Sequence, residues 1–152
     1  MIGKNHIVAF SLDDQQYGLN LSCVERIVRA VSITPLPDAP SEILGVINVE
    51  GRIMPVLNTR KWLGLPERDI ELQDVFIIVS ANRHSVALVA DEVKPVVEVP
   101  VNQMIDSREV VNTSGSVEGI AKSDDGLIMV LTAEKALHGE ALGKLDSALS
   151  ET

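Results

Sequence analysis

Aromatic residues are almost missing from this chain: two Phe, one Tyr and one Trp among 152 residues. With 45% of its residues hydrophobic all the same, the interior must be filled by Val, Ile, Leu and Ala. The branched members of that set suit a pleated, half-buried surface, which predicts a mainly β protein. Cysteine occurs once, as Cys23, so an internal disulfide is excluded and a reducing compartment fits. Positive charge is scarce, 13 Lys and Arg against 22 Asp and Glu, for a net charge of -9. That field repels polyanions, which argues against nucleic acid and anionic membrane as partners. No apolar run approaches the ~20 residues needed to span a bilayer, and "MIGKNHIVAFSLDD" alternates rather than reading as a signal peptide. These absences predict a cytoplasmic location without direct membrane insertion.

Chemistry is equally hard to find. His6, His84 and His138 fall on a strand start, a turn and a helix-like segment, none with a second ligand at metal spacing. Cys23 has no CxxC partner and reads as a small core thiol. No nucleophile elbow, phosphate-cradling loop or dinucleotide glycine fingerprint is present. Asp13-Asp14 and Asp124-Asp125 are paired acids, but both sit in hairpin turns and read as solvated turn residues. "GEALG" matches a membrane-helix packing motif outside its membrane setting. Trp62, with Leu63 and Leu65 as neighbours, reads as partly buried core rather than as a binding anchor. No catalytic residue, metal or cofactor is expected.

What is present is a run of short strands. "HIVAFSL" (6–12) alternates, "DDQQ" turns the chain and "YGLN" pairs back. "LSCVERIVRAVSI" (21–33) suits a turn leading into a strand, and the three prolines of "TPLPDAP" (34–40) require an extended loop. Strands near 44–49 and 52–57 flank Glu50-Gly51, and a short helix follows from Asn58, a good N-cap, before Gly64 and Pro66 stop it. "DVFIIVS" and "SVALVAD" form a hairpin through Asn82-Arg83. "EVKPVVEVP" continues as a strand whose Pro95 demands an edge or bulge. Residues 100–116 suggest a short helix and a polar loop. "EGIAKSDDGLIMVLT" is a third hairpin through Asp125-Gly126, and apolar residues recur at helical spacing over about 132–150. The count is about ten strands and a C-terminal helix in a single domain spanning 1–152.

Four segments carry a resemblance. "GVINVEGRIMPVLNTRKWLGLP" resembles the signature of the CheW family, the bacterial chemotaxis coupling proteins, which reads G-V-[IT]-N-L-R-G-x-[IV]-x-P-[IV]-[VI]-[DN]-L-x-x-x-L-G. "VAFSLDDQQYGLNLSCVERI" looks like the family's opening F-x-L-x-x-x-x-Y-G-[IL]-x-[IV]-x-x-V-x-E-I. "VALVADEVKPVVEVP" is similar to its G-[IL]-x-V-D-x-V-x-x-V segment, and "GIAKSDDGLIMVLTAEKAL" to its closing hairpin and helix. Together they cover about residues 6–138. The resemblance implies two intertwined five-stranded SH3-like β-barrels sharing an apolar core, with a C-terminal helix. It also implies a non-catalytic adaptor that binds the regulatory domain of a CheA-type histidine kinase and the cytoplasmic tip of methyl-accepting chemoreceptors, peripheral to receptor arrays. The positions matching the family's contact surface are Val24, Arg26, Ile27, Glu50, Val75, Ala87 and Val96.

Two signature charges are inverted. The family turn N-L-R-G is here Asn48-Val49-Glu50-Gly51, and the acid of V-x-E-I is here Arg26 in Val24-Glu25-Arg26-Ile27. One reading is drift, or displacement of the acid by one residue to Glu25. The other is an Arg26–Glu50 ion pair of reversed polarity, with its effect on recognition rather than on stability. Ala87 also replaces the usual glycine. A variant reading keeps the module but gives it another client, such as type IV pilus control. An enzymatic or ligand-binding barrel would need a polar cleft that no pattern here suggests.

Overall fold

A computed structural model describes residues 3–81, 83–106, 117–124 and 126–133. The expected C-terminal helix lies outside the described residues, apart from its first two positions, as does most of the polar loop before residue 117. Within them the protein is mainly β. The strands are β1 (Lys4–Leu12), β2 (Gln15–Asn20), β3 (Val24–Arg29), β4 (Ile43–Val49), β5 (Arg52–Leu57), β6 (Val75–Ala81), β7 (His84–Ala90), β8 (Glu92–Val93), β9 (Val97–Pro100), β10 (Ile105–Asp106), β11 (Val117–Ser123) and β12 (Gly126–Leu131). One short helix, α1 (Thr59–Trp62), follows β5, with Asn58 Oδ1 accepting the Lys61 N–H at 3.2 Å as its cap.

The strands make two mixed sheets. One has the order β10-β11-β12-β2-β1-β8, with β9 also on β1; the other has the order β3-β6-β7-β5-β4. The chain builds β1 and β2 of the first sheet, then the whole of the second, then returns to complete the first, so the sheets are interleaved. The first sheet has seven strands because the predicted strand over 92–100 is split. Pro95 has no N–H to give a ladder, so Glu92–Val93 and Val97–Pro100 each pair with β1 separately. The short β10 adds the other: Ile105 and Asp106 pair with β11, where a helix was predicted nearby and only a 3₁₀ turn, Val101–Gln103, forms.

Side-chain alternation explains the packing. On β6, Phe76 and Ile78 enter a cluster with Ile47, Met54, Val56, Ala87 and Val89. Ile77 and Val79, pointing the other way, enter a larger cluster shared with Phe10, Leu12 and Leu19 of the first sheet. A third cluster, built on Ile7, Ala9, Ile128 and Val130, belongs to the first sheet alone. A strand buried on both faces needs a continuous apolar run, which is what "VFIIV" supplies.

The five-stranded sheet curls until its two edges meet. Beyond β3, Thr34 bridges Val46 of β4 through two mutual backbone hydrogen bonds of 2.9 Å. Gly45 permits this approach: a Cβ there would lie 2.3 Å from the Thr34 carbonyl oxygen, and its φ of +151° is one that L side chains rarely adopt.

Candidate functional site

Glu50 and Gly51 form the two-residue turn between β4 and β5, with φ of 50° and 86°, the signs of a type I′ turn, whose twist matches the strands. Asn48 Oδ1 accepts the Gly51 N–H at 2.8 Å. Such a position favours Gly, Asn or Asp, because any Cβ crowds the following carbonyl oxygen and only a short polar side chain offsets this by hydrogen bonding to its own backbone. Glutamate therefore occupies it at the expense of the backbone.

Across the closure, β3 starts with a bulge. Val24 pairs with Val79 and Arg26 with Ile78, leaving Glu25 as the extra residue. Glu25 and Arg26 thereby both reach the end of the sheet where the β4–β5 and β6–β7 turns lie. Arg26 donates to Glu50 through both Nη atoms, at 2.9 and 3.3 Å. Glu25 accepts from Ser80 Oγ at 2.6 Å, Ser85 Oγ at 2.7 Å and Arg52 Nη1 at 3.2 Å, while Arg52 also donates to Ser85. Two consecutive residues of β3 are thus tied by two ion pairs of opposite sense to the turn facing them. Hydrogen bonds from Arg26 hold the Glu50 carboxyl below the usual glutamate range. The Ser80 and Ser85 hydroxyls, with Arg52, do the same for Glu25. Glu25, Arg26 and Glu50 therefore stay charged at neutral pH. On β6, Ser80 shares a face with Phe76 and Ile78, so this polar group lies over the end of the sheet's own core.

The other candidate residues divide. Val24 is half-buried against the shared core, and Ile27, beside Arg26, is 42% exposed. Val75 is half-buried toward the far end of β6, opposite Arg29. Ala87 is fully buried between Val56 and Ile78 and presents no surface of its own. Val96 is exposed but belongs to the interruption between β8 and β9 on the other sheet. The structure therefore brings Arg26 and Glu50 together and adds Glu25, Arg52, Ser80 and Ser85, whereas Val24 and Ile27, paired with Val79 and Ile77, lie on the other side of β3. The signal for the added residues was the reciprocal charge order of Glu25-Arg26 and Glu50-Gly51-Arg52.

A second cluster corrects one sequence reading. Asp13 is a turn residue, but it is not merely solvated: its two carboxylate oxygens accept from Arg60 at 2.9 and 3.0 Å. Arg60, on α1, also binds Asp91 at 2.9 Å, and Asp91 accepts from Arg68 and from the Asp13 N–H. Arg68 grips Asp74 with both Nη atoms at 2.8 and 3.0 Å. The network joins the β1–β2 turn of one sheet to α1 and the ends of β6 and β7 in the other. Burial pushes the Asp74 carboxyl up, but Arg68, the Glu71 N–H and Arg60 together hold it below the usual range. The small cavity beside it is lined by Asn58, Thr59, Arg60, Arg68 and Asp74, each already hydrogen bonded. Among the described residues no buried side-chain nitrogen or oxygen lacks a partner.

The CheW-like domain family matches residues 6–141. This chain belongs to the CheW family. It is 29% identical over 133 residues to the chemotaxis protein CheW of Thermotoga maritima, covering 87% of each chain. It is 28% identical over 137 residues to that of Bacillus subtilis, covering 89% of this chain and 88% of the other. The crystal structure of the scaffolding protein TtCheW from Thermoanaerobacter tengcongensis superposes with a TM-score of 0.82 at 32% identity, covering 93% of this chain and 96% of that one. The CheW match takes in both sheets, the Arg26–Glu50 pair and the Arg60 network. Among the described residues of this CheW-family chain, no helix is long and apolar enough to cross a membrane.

Proposed function

We propose that this CheW-family chain is a non-catalytic chemotaxis scaffold that couples chemoreceptors to a CheA-type histidine kinase. It works in the cytoplasm, peripheral to receptor arrays, with residues 1–152 as one CheW-like domain. Its partners are the regulatory domain of the kinase and the cytoplasmic tip of the receptors. The two sheets are then the pair of intertwined SH3-like barrels implied by the family resemblance, completed by a C-terminal helix.

The observation that carries this reading is the exposed Arg26–Glu50 pair. Arg26 is 45% and Glu50 73% exposed, so solvent screens their attraction and the pair adds little to the fold. Yet Glu50 holds a left-handed backbone position that suits it poorly. A residue kept against backbone preference, in a pair too exposed to stabilise, fits recognition better than stability. Ile27 and half-buried Val24 supply apolar area on the other side of β3, and the charges set register and partner choice. Val75 and Val96 extend the surface, while Ala87 acts from beneath by packing.

Calorimetric titration of the CheA-type regulatory domain and of the receptor tip from the same organism tests this. Wild type binds at least one of them, and Arg26→Glu or Glu50→Arg weakens that binding without unfolding the protein. Binding by neither partner to wild type would refute the scaffold role. Equal binding by all variants would leave the scaffold but remove the pair from its surface. The reversed polarity also favours a second reading, a CheW-like adaptor for a separate sensory pathway, such as type IV pilus control, insulated by like-charge clashes with the common partners. Identification of the kinase captured from the source cells separates the two.

A further inference from the structure

The four charges at the closure alternate along both strands: acid then base at 25 and 26, acid then base at 50 and 52. The pairs differ in setting. Glu25 is 27% exposed and receives three donors, Ser80, Ser85 and Arg52. Glu50 is 73% exposed and, among the described residues, receives only Arg26 from another side chain. The Glu25–Arg52 pair is the anchored one, and the Arg26–Glu50 pair is the one presented.

We propose that Glu25 and Arg52 are positioning residues that fix the polarity in which the Arg26–Glu50 pair is presented to a partner. Ser80 and Ser85 hold the Glu25 carboxylate, and the bulge sets Arg26 immediately beside it. An acid at position 26 would adjoin Glu25, and a base at position 50 would lie two residues from Arg52 across a tight turn. Reversing the outer pair alone therefore exchanges two attractions along the strands for two repulsions, even though the outer ion pair itself is formally restored. The inverted signature charges at 26 and 50 follow from the displaced acid at 25 and its base at 52, so the polarity is a property of four residues rather than two. The consequence for partner choice rests on the reading given under Proposed function; the coupling among the four charges does not.

The test compares Arg26→Glu/Glu50→Arg in the native background with the same pair of substitutions in a Glu25→Gln/Arg52→Gln background, which removes both inner charges while leaving a polar side chain at each position. Proton titration of side-chain carboxylates is followed by NMR at low salt in the free protein. The carboxylate introduced by Arg26→Glu binds its proton about tenfold more tightly in the native background than in the neutralised one, where the reversed pair forms unopposed. Equal titration in both backgrounds overturns the proposal. Loss of amide dispersion in the native background alone, with recovery in the neutralised one, supports it as the extreme form of the same conflict. Calorimetry with the kinase regulatory domain is run in parallel. Glu25→Gln/Arg52→Gln alone, which retains the original outer polarity, keeps binding within a few-fold of wild type, and both reversed-pair variants lose it. If wild type itself binds no kinase domain, the scaffold reading fails while the titration still decides the coupling.

Discussion

The protein uses one chemistry, arginine gripping a carboxylate, in two regions with opposite consequences. Around Arg60 the arginine side chain is 9% exposed and bridges Asp13 of one sheet to Asp91 at the end of the other's β7. Around Arg26 the arginine side chain is 45% exposed and reaches across the closure of a single sheet. In the first region, removing one partner strands charge where water cannot fully compensate. In the second, water takes over at once. Ion-pair geometry is similar in both, so exposure and not distance separates a structural clamp from a pair that adds little to the fold.

The sharpest way to break this comparison is Arg60→Ala. It leaves Asp91 without one of its two arginines and is expected to destabilise the fold by about 3 kcal/mol, lowering Tm by roughly 6–12 °C. Arg60→Lys recovers only part of this, because an ammonium cannot bind two carboxylates in fork geometry. A thermal melt in which Arg60→Ala matched Arg26→Ala would end the distinction. Next in size is Gly45→Ala, which drives a methyl into the Thr34 carbonyl and is expected to lose about 2 kcal/mol or more by opening the backbone closure. That would place closure in the Thr34–Val46 bridge rather than in the charged pairs beside it.

Acid sharpens the contrast further. The folded Asp74 carboxyl titrates below its unfolded value, so its contribution is complete above the unfolded pKa of about 3.9 and is lost as pH falls through the folded one. Melts from pH 7 to pH 2.5 should show Tm falling steeply below about pH 4. Asp74→Asn should flatten that acid limb while starting lower at neutral pH. At the exposed end, Glu50→Asn relieves the left-handed turn and is expected to raise Tm by about 1–2 °C while weakening kinase-domain binding. Smallest of all on stability is Arg26→Ala, expected to leave Tm within about a degree of wild type while binding falls several-fold.

Much of the site was legible because its signals are local. Glu50-Gly51 between two apolar runs marked a hairpin, Asn58 marked a helix start, and the acid and base at 25 and 26 stood out against the family pattern. Pro95 announced an interruption, though not that the strand would become two separately paired pieces. The Arg60 network was not legible. Asp13, Arg60 and Asp91 are 47 and 31 residues apart, and no periodicity couples positions that only a crossing between sheets brings together. Ala87 was misplaced toward the surface for a related reason: a strand buried on both faces carries the same apolar letters as one with an outward face.

Composition and spacing alone determined the β character, most of the hairpins and the CheW resemblance, because strand alternation, turn residues and signature motifs act over a few neighbours. Tertiary structure decided which charges meet and how much water reaches them. It set Glu25 against two serines and Arg52, left Arg26 and Glu50 in solvent, and enclosed Arg60, because curling one sheet and seating it on the other fixes both distance and burial at once.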